Sequence, residues 1–437
     1  MKNTIRLCLL GCLSLNALAE ENIVADDEHR QRIHSVRSVV ANITKVKDKE
    51  VDAVGGIKHM FEDGVVSGEI RSIYSRYNYD DSQNVYATAI GGQLKYELAE
   101  YNGFNAGATF ITTHEISPIS GNNTKFNEEL TSEKGDYTQL AEAYINYNYK
   151  NLNLRIGRQI VDTPLADSDD IRMTLNTFEA YMLTYKVDNI VLMSGLLTQF
   201  QGYDAGLDVD NPWQDTGEDG TYLAGITYET EPLEASAWYY DVSKDTDPNS
   251  LMQNNASKSI YLSLGGHIHF TKDNFLHLMA QYLNQSENDN SGVESRVYGG
   301  MAELVLGNIG FNIAYDKSNK QKNKRIFSGF GGGTMYTSMD NMIIENIAQD
   351  RDAYATVGGI SYAMYDNFNL LYAYGDFHGD ANSAGVSEHI TEHNIGFEYT
   401  KKSITIASIY TKQEDKDNTG VNDGDWSNIR ILGSYSF

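Results

Sequence analysis

From Val66 to the C-terminus, apolar and polar side chains alternate with a period of two, the spacing of a strand with two different faces. In the run Ser259–Phe270, Ile260, Leu262, Leu264, Ile268 and Phe270 share one side, while Ser259, Tyr261, Ser263, His267 and His269 share the other. Leu276, Leu278, Ala280 and Tyr282 form the apolar side of the next run. Further on, Ile309, Phe311, Ile313 and Tyr315 alternate with Gly310, Asn312, Ala314 and Asp316. Eighteen such strands are predicted, the first over 66–79 and the last over 426–437.

The connections decide the architecture. Every even-numbered strand runs into its successor through a few residues, as at Lys150-Asn151, Asp188, Glu231, Gly307-Asn308, Asp366 and Lys402. The connections after odd strands are mostly long: 116–136, 163–175, 201–219, 243–256, 319–351, 380–387 and 415–425, with the first one the short exception. Short turns at one end and long loops at the other predict an all-β, eighteen-strand antiparallel transmembrane β-barrel, with short periplasmic turns and long extracellular loops. A soluble sandwich has no reason to segregate its loops in this way. In such a barrel the apolar side of each strand faces lipid and the polar side faces the lumen.

The ends of the chain carry their own signals. Lys2 and Arg6 precede the apolar stretch Leu7–Leu15 and the small-residue site Ala17-Leu18-Ala19, so residues 1–19 read as a signal peptide. Lipidation at Cys12, after Leu9-Leu10-Gly11, is the alternative. Cys8 and Cys12 both lie in this leader, so an exported chain contains no disulfide. Residues 20–65 read as an N-terminal periplasmic segment, partly helical: Ile33, Val36, Val40 and Ile43 keep the spacing of an amphipathic helix over about 27–50. Residues 66–437 form the barrel. In the last strand Ile429, Ile431, Gly433, Tyr435 and Phe437 make the apolar face, and the terminal Phe437 resembles the mark by which the barrel-assembly machinery recognises its clients.

Composition narrows the rest. A mean hydropathy of −0.44 fits a chain with no uncharged apolar run of helical transmembrane length. The 30 Tyr and 15 Phe supply ample material to bury, which excludes a disordered chain. A net charge of −26, or −28 once Lys2 and Arg6 are removed with the leader, excludes nucleic acid as a partner. No nucleophile elbow, zinc-protease helix motif or phosphate-binding loop is present, so the chain does not read as an enzyme and calls for no cofactor.

The stretch 157–183 contains Gly157, Gln159, Thr163, Pro164, Asp170, Arg172 and Phe178 in an order that resembles the OprD family of outer-membrane porins. Gly68-Glu69-Ile70-Arg71, Gly91-Gly92, Ala106-Gly107-Ala108 and Phe437 extend the resemblance over nearly all of 66–437. Leu175 stands where members of that family usually carry proline, and the stretch before Val66 is not a general family feature. The resemblance implies an eighteen-strand porin in the bacterial outer membrane. It implies passive diffusion of small hydrophilic solutes, carboxylates or amino acids among them, past a third loop folded into the lumen. The implied constriction residues are Asp167, Asp169, Asp170 and Arg172. A non-conducting surface or structural barrel, adhesin-like, is the alternative of a different class.

Strict alternation places Arg71, Lys95, Arg155, Arg296 and Arg430 on the inward face as a basic ladder. Glu69, Glu97, Glu142, Glu294, Asp316, Glu392 and Glu398 fall on the same face, where they also serve simply to solvate a wet pore. His267 and His269 share that face, with His277 across the next turn; a metal site there is the minority reading beside three wet lumen histidines. Asp415-Lys416-Asp417 begins like a calcium loop but meets Trp426 at the position that needs a bidentate carboxylate. The remaining partners expected are outer-membrane lipid and lipopolysaccharide, small solutes and ions, and a second copy of the chain if the barrel oligomerises.

Overall fold

The computed structural model describes residues 56–437 apart from 133–134, 247–253, 366 and 418–423. The leader and the helix expected over 27–50 lie outside the described residues. The described chain opens with a short helix, Gly56–Glu62, and enters the first strand at Val65.

Eighteen long strands follow, each antiparallel to its neighbours, from Val65–Tyr79 to Trp426–Ser436. The first strand pairs with both the second and the last, so the sheet is a closed barrel. Phe437 extends that seam by exchanging two backbone hydrogen bonds with Gly68, each 3.0 Å. A further two-residue strand, Gln214–Asp215, pairs with Gln199 and Phe200 at the rim. Closure satisfies the backbone groups that an open edge would leave bare in lipid.

The segregation of turns is as the sequence predicts. Lys150, Asp188 and Lys402 adopt left-handed conformations (φ 54°, 50° and 56°) in tight turns, whose twist matches that of the flanking strands. At the opposite end the chain makes the long excursions 116–136, 160–176, 202–220 and 319–352.

The outer face is apolar across its middle. Ile260, Leu262, Leu264, Ile268, Phe311 and Ile313 are each 41–56% exposed, and no helix among the described residues is long and apolar enough to cross a membrane. Apolar area of this extent costs roughly 25 cal/mol per Å² in water and nothing in hydrocarbon. Exposed tyrosines flank the band: Tyr149, Tyr365 and Tyr435 at the short-turn end, and Tyr222, Tyr298 and Tyr354 toward the loops. These are the two interfacial girdles of a membrane barrel.

The interior is not a uniform water column. Loops 160–176 and 319–352 fold inward and meet, with Asp167 N–H donating to the Phe330 carbonyl at 2.8 Å and Phe330 N–H to the Leu165 carbonyl at 3.0 Å. Phe327, Phe330, Met335, Met339, Met342 and Ile344 pack there against inward residues of the wall such as Phe178, Phe200, Trp238 and Phe377. One side of the lumen is therefore filled by packed apolar side chains.

Candidate pore and its charged neck

The polar wall is built from the first, second, fourth, fifth and last strands. On the last strand Arg430 is fully buried, and its Nη2 lies 2.7 Å from Glu129 Oε1 while Nη1 lies 3.0 Å from Asp340 Oδ1. Glu129 comes from loop 116–136 and Asp340 from loop 319–352. The same Glu129 oxygen is 2.8 Å from Arg172 Nε, an ion pair without aligned hydrogen-bond geometry. Its other oxygen accepts the Ser75 hydroxyl at 2.6 Å and the Asn127 amide at 3.3 Å. Burial alone pushes the Glu129 carboxyl up, but Arg430, Arg172 and these two hydrogen bonds overcome it and hold the pKa at about 2. Burial likewise works against the Arg172 charge, yet Tyr203 and Glu129 hold it protonated, well above the ordinary guanidinium value. The Arg172 guanidinium also lies 4.2 Å from the centre of the Tyr203 ring.

One step toward the short-turn end, Arg71 ties the loop to the first strand. Its Nη1 donates to Asp170 Oδ1 at 2.7 Å and to the Arg172 carbonyl at 2.5 Å, and its Nη2 donates to Glu69 Oε2 at 2.7 Å. Asp167 shapes the loop itself by accepting the Asp169 N–H at 2.7 Å, and Asp169 takes a left-handed φ of 38°. Beyond Arg71 the wall is wetter. Lys95 Nζ sits 3.3 Å from Glu142 and 3.5 Å from Glu97, and Arg155 lies 4.4 Å from the centre of the Tyr144 ring. Beside this charged cluster a cavity of about 800 Å³ is lined by Tyr77, Tyr79, Phe126, Glu129, Tyr203 and Trp426.

Arg71, Lys95, Arg155 and Arg430 thus face inward as the alternation requires, together with Glu69, Glu97 and Glu142. Asp316, Glu392 and Glu398 also face inward but are buried. Two of them serve as anchors: Asp316 accepts both the N–H and the hydroxyl of Thr337 at 2.8 Å, and Glu392 accepts the N–H groups of Asn341 and Met342 at 3.2 and 3.0 Å. Both fasten loop 319–352 to the wall.

Two residues of the expected ladder are elsewhere. Arg296 is exposed on the outer face, in phase with Tyr298, and Glu294 precedes the strand Ser295–Leu306 at its loop end. In that strand the inward residues include Val297, Met301 and Val305, all buried. At Val297 and Met301 the packed loops make the inner face apolar, so the rule that apolar means lipid-facing sets the phase one residue wrong. The sequence also does not single out Glu129, Asp340 or Tyr203, which lie in loops without periodicity; no local pattern marks them.

No family model matches the chain, and no curated protein matches it. Solved structures do. Pseudomonas aeruginosa OpdK with vanillate superposes with a TM-score of 0.72 at 16% identity, covering 86% of this chain and 99% of that one. Pseudomonas aeruginosa OpdL gives 0.68 at 18% identity, with 86% and 99% covered. Acinetobacter baumannii OccAB4 gives 0.70 at 14% identity, with 86% and 98% covered. Together with the strand count and the closed seam, these likenesses establish that the chain has the eighteen-strand fold of the OprD/Occ outer-membrane porins.

Proposed function

We propose that the protein is a passive outer-membrane channel for small hydrophilic solutes, with carboxylates and amino acids as the preferred class. The observation that carries this reading is the run of cations down one wall: Arg430 and Arg172 at the neck, Arg71 below them, then Lys95 and Arg155. Asp170, Glu69, Glu97 and Glu142 stand beside these cations, so a solute bearing both charges finds complementary partners throughout. OpdK was crystallised with vanillate, a carboxylate, which accords with this class. Loop 160–176 acts as the constriction, with Asp167 and Asp169 setting its shape and Asp170 and Arg172 its charge. Export through the leader 1–19 and assembly through the strand ending in Phe437 belong to the same reading.

The test is solute uptake into liposomes carrying the folded protein. Small carboxylates should enter faster than neutral solutes of equal size, and Lys95→Ala with Arg155→Ala should remove that advantage while leaving neutral uptake intact. Equal rates for the two solute classes in the unaltered protein would overturn the carboxylate preference.

A second reading, a non-conducting surface barrel, draws on one feature, the apolar packing of loops 160–176 and 319–352 within the lumen. The cavity and the half-exposed Lys95 and Arg155 below the neck favour the channel.

A further inference from the structure

On the inner wall, near the short-turn end and away from the neck, two imidazoles and a carboxylate converge. His267 and His277 are register partners across the turn at 272–273, and their rings lie 4.0 Å apart and 3° from parallel. His277 is fully buried, and its Nε2 is 2.5 Å from Oε1 of Glu234 on the neighbouring strand Leu233–Val242. The Nδ1 of the same ring is buried and makes no hydrogen bond. One ligand atom from each of Glu234, His267 and His277 lies within 4.8 Å of the others. On the far side of His277, its register partner Glu303 is also buried.

A histidine–glutamate pair alone accounts for the Nε2 contact. It leaves unexplained why a second imidazole, that of His267, is held beside this pair with a ligand atom within 4.8 Å of both.

We propose that Glu234, His267 and His277 form a binding site for a divalent transition-metal ion of the zinc class. Two imidazoles and one carboxylate are the donor set such an ion takes, with the remaining position filled by water from the lumen. Hard cations such as magnesium prefer oxygen donors and bind here weakly. The half-exposed His267 is the mobile ligand: its ring must turn out of the stack to bring a nitrogen within about 2.0–2.1 Å of an ion held by His277 and Glu234. His269, whose ring centre lies 6.0 Å from that of His267, is not among the three side chains whose ligand atoms converge. A bound ion adds two positive charges to the wall, so occupancy also changes the current carried by small ions.

A second group of metal-ligating side chains, Asp376, His378 and His389, alternates with the buried Gly375 and Phe377 and so lies on the outer face, where it would bind zinc independently. The experiment therefore uses the full-length folded protein carrying His378→Asn and His389→Asn, titrated with zinc sulfate by calorimetry in detergent. One zinc ion should bind per chain, and adding His267→Asn and His277→Asn should weaken binding at least tenfold while the heat-modifiable barrel persists. Absence of binding before the second pair of substitutions would overturn the proposal, and so would binding that survives them. The assay needs no conduction, so its outcome is independent of the channel reading. Should the quadruple variant fail to fold, Glu234→Gln in the same background gives the same readout with both imidazoles kept.

Discussion

Glu129 and Arg430 are 301 residues apart in sequence, yet Glu129 Oε1 lies 2.7 Å from Arg430 Nη2. This contact fastens loop 116–136 to the last strand of the barrel, and Arg172 reaches the same oxygen from loop 160–176. One carboxylate thus joins two loops and the wall. Removing it leaves two buried guanidinium groups facing each other, and breaking a buried pair from one side costs about 3–5 kcal/mol.

Glu129→Gln is therefore expected to keep the barrel but free the loops. Heat-modified electrophoresis should still show a folded barrel, with unfolding at lower temperature, and the single-channel current should become noisier. A quiet current and an unchanged unfolding temperature would show that the neck does not depend on this residue.

The same carboxylate sets a pH dependence. Its ordinary pKa of 4.5 falls to about 2 in the folded protein, so its contribution is complete above pH ~5 and is lost as pH falls toward 2. The shift is worth on the order of 3 kcal/mol. Asp204, raised by burial although Asn176 and Arg172 oppose it, protonates earlier in the same descent. Current noise should rise between pH 4.5 and 2 in the unaltered protein. In Glu129→Gln the noise should already be present at neutral pH.

Arg172→Ala separates charge from packing. The guanidinium pairs with Glu129 and lies over Tyr203, while Asp170 is engaged by Arg71. The substitution should alter conductance and slow carboxylate uptake severalfold with the barrel intact, and Arg172→Lys should recover only part of the loss because an ammonium stacks less well. Unaltered conductance and uptake in folded Arg172→Ala would remove this residue from the neck.

Asp316→Ala tests the other side of the lumen. It strips Thr337 of the acceptor for both its N–H and its hydroxyl, each left buried at about 1–3 kcal/mol. Loop 319–352 should loosen, seen as faster amide exchange at Thr337 and a larger mean current.

How far the sequence reaches is clear from particular residues. Alternation through Ser259–Phe270 and Ile309–Asp316 sets the strands, their count and their lipid side, because lipid imposes one chemistry on every outward position. The inner face obeys no single chemistry. Lys95 and Arg155 are legible because that wall is wet, and Arg71 because its strand keeps a strict alternation; Arg296 is misplaced because Val297 and Met301 meet the packed loops. Glu129 and Asp340 are invisible in sequence, since tertiary approach alone selects them.

The excess of carboxylates over bases, and a net charge of −26, should draw cations to the mouth at low ionic strength. For small inorganic ions, a reversal potential under a salt gradient is expected to show weak cation preference, fading at high salt, while organic carboxylates follow the local basic wall. Anion preference at low salt would contradict it.

The central claim is that a water path runs past the Arg430–Glu129–Arg172 neck. It is tested most directly by recording folded, heat-modifiable protein in a planar lipid bilayer. The account predicts discrete, reproducible conductance steps that grow on adding Asp316→Ala and become noisy with Glu129→Gln. A bilayer that stays silent through repeated insertions of correctly folded protein would contradict it and leave the barrel a closed surface structure.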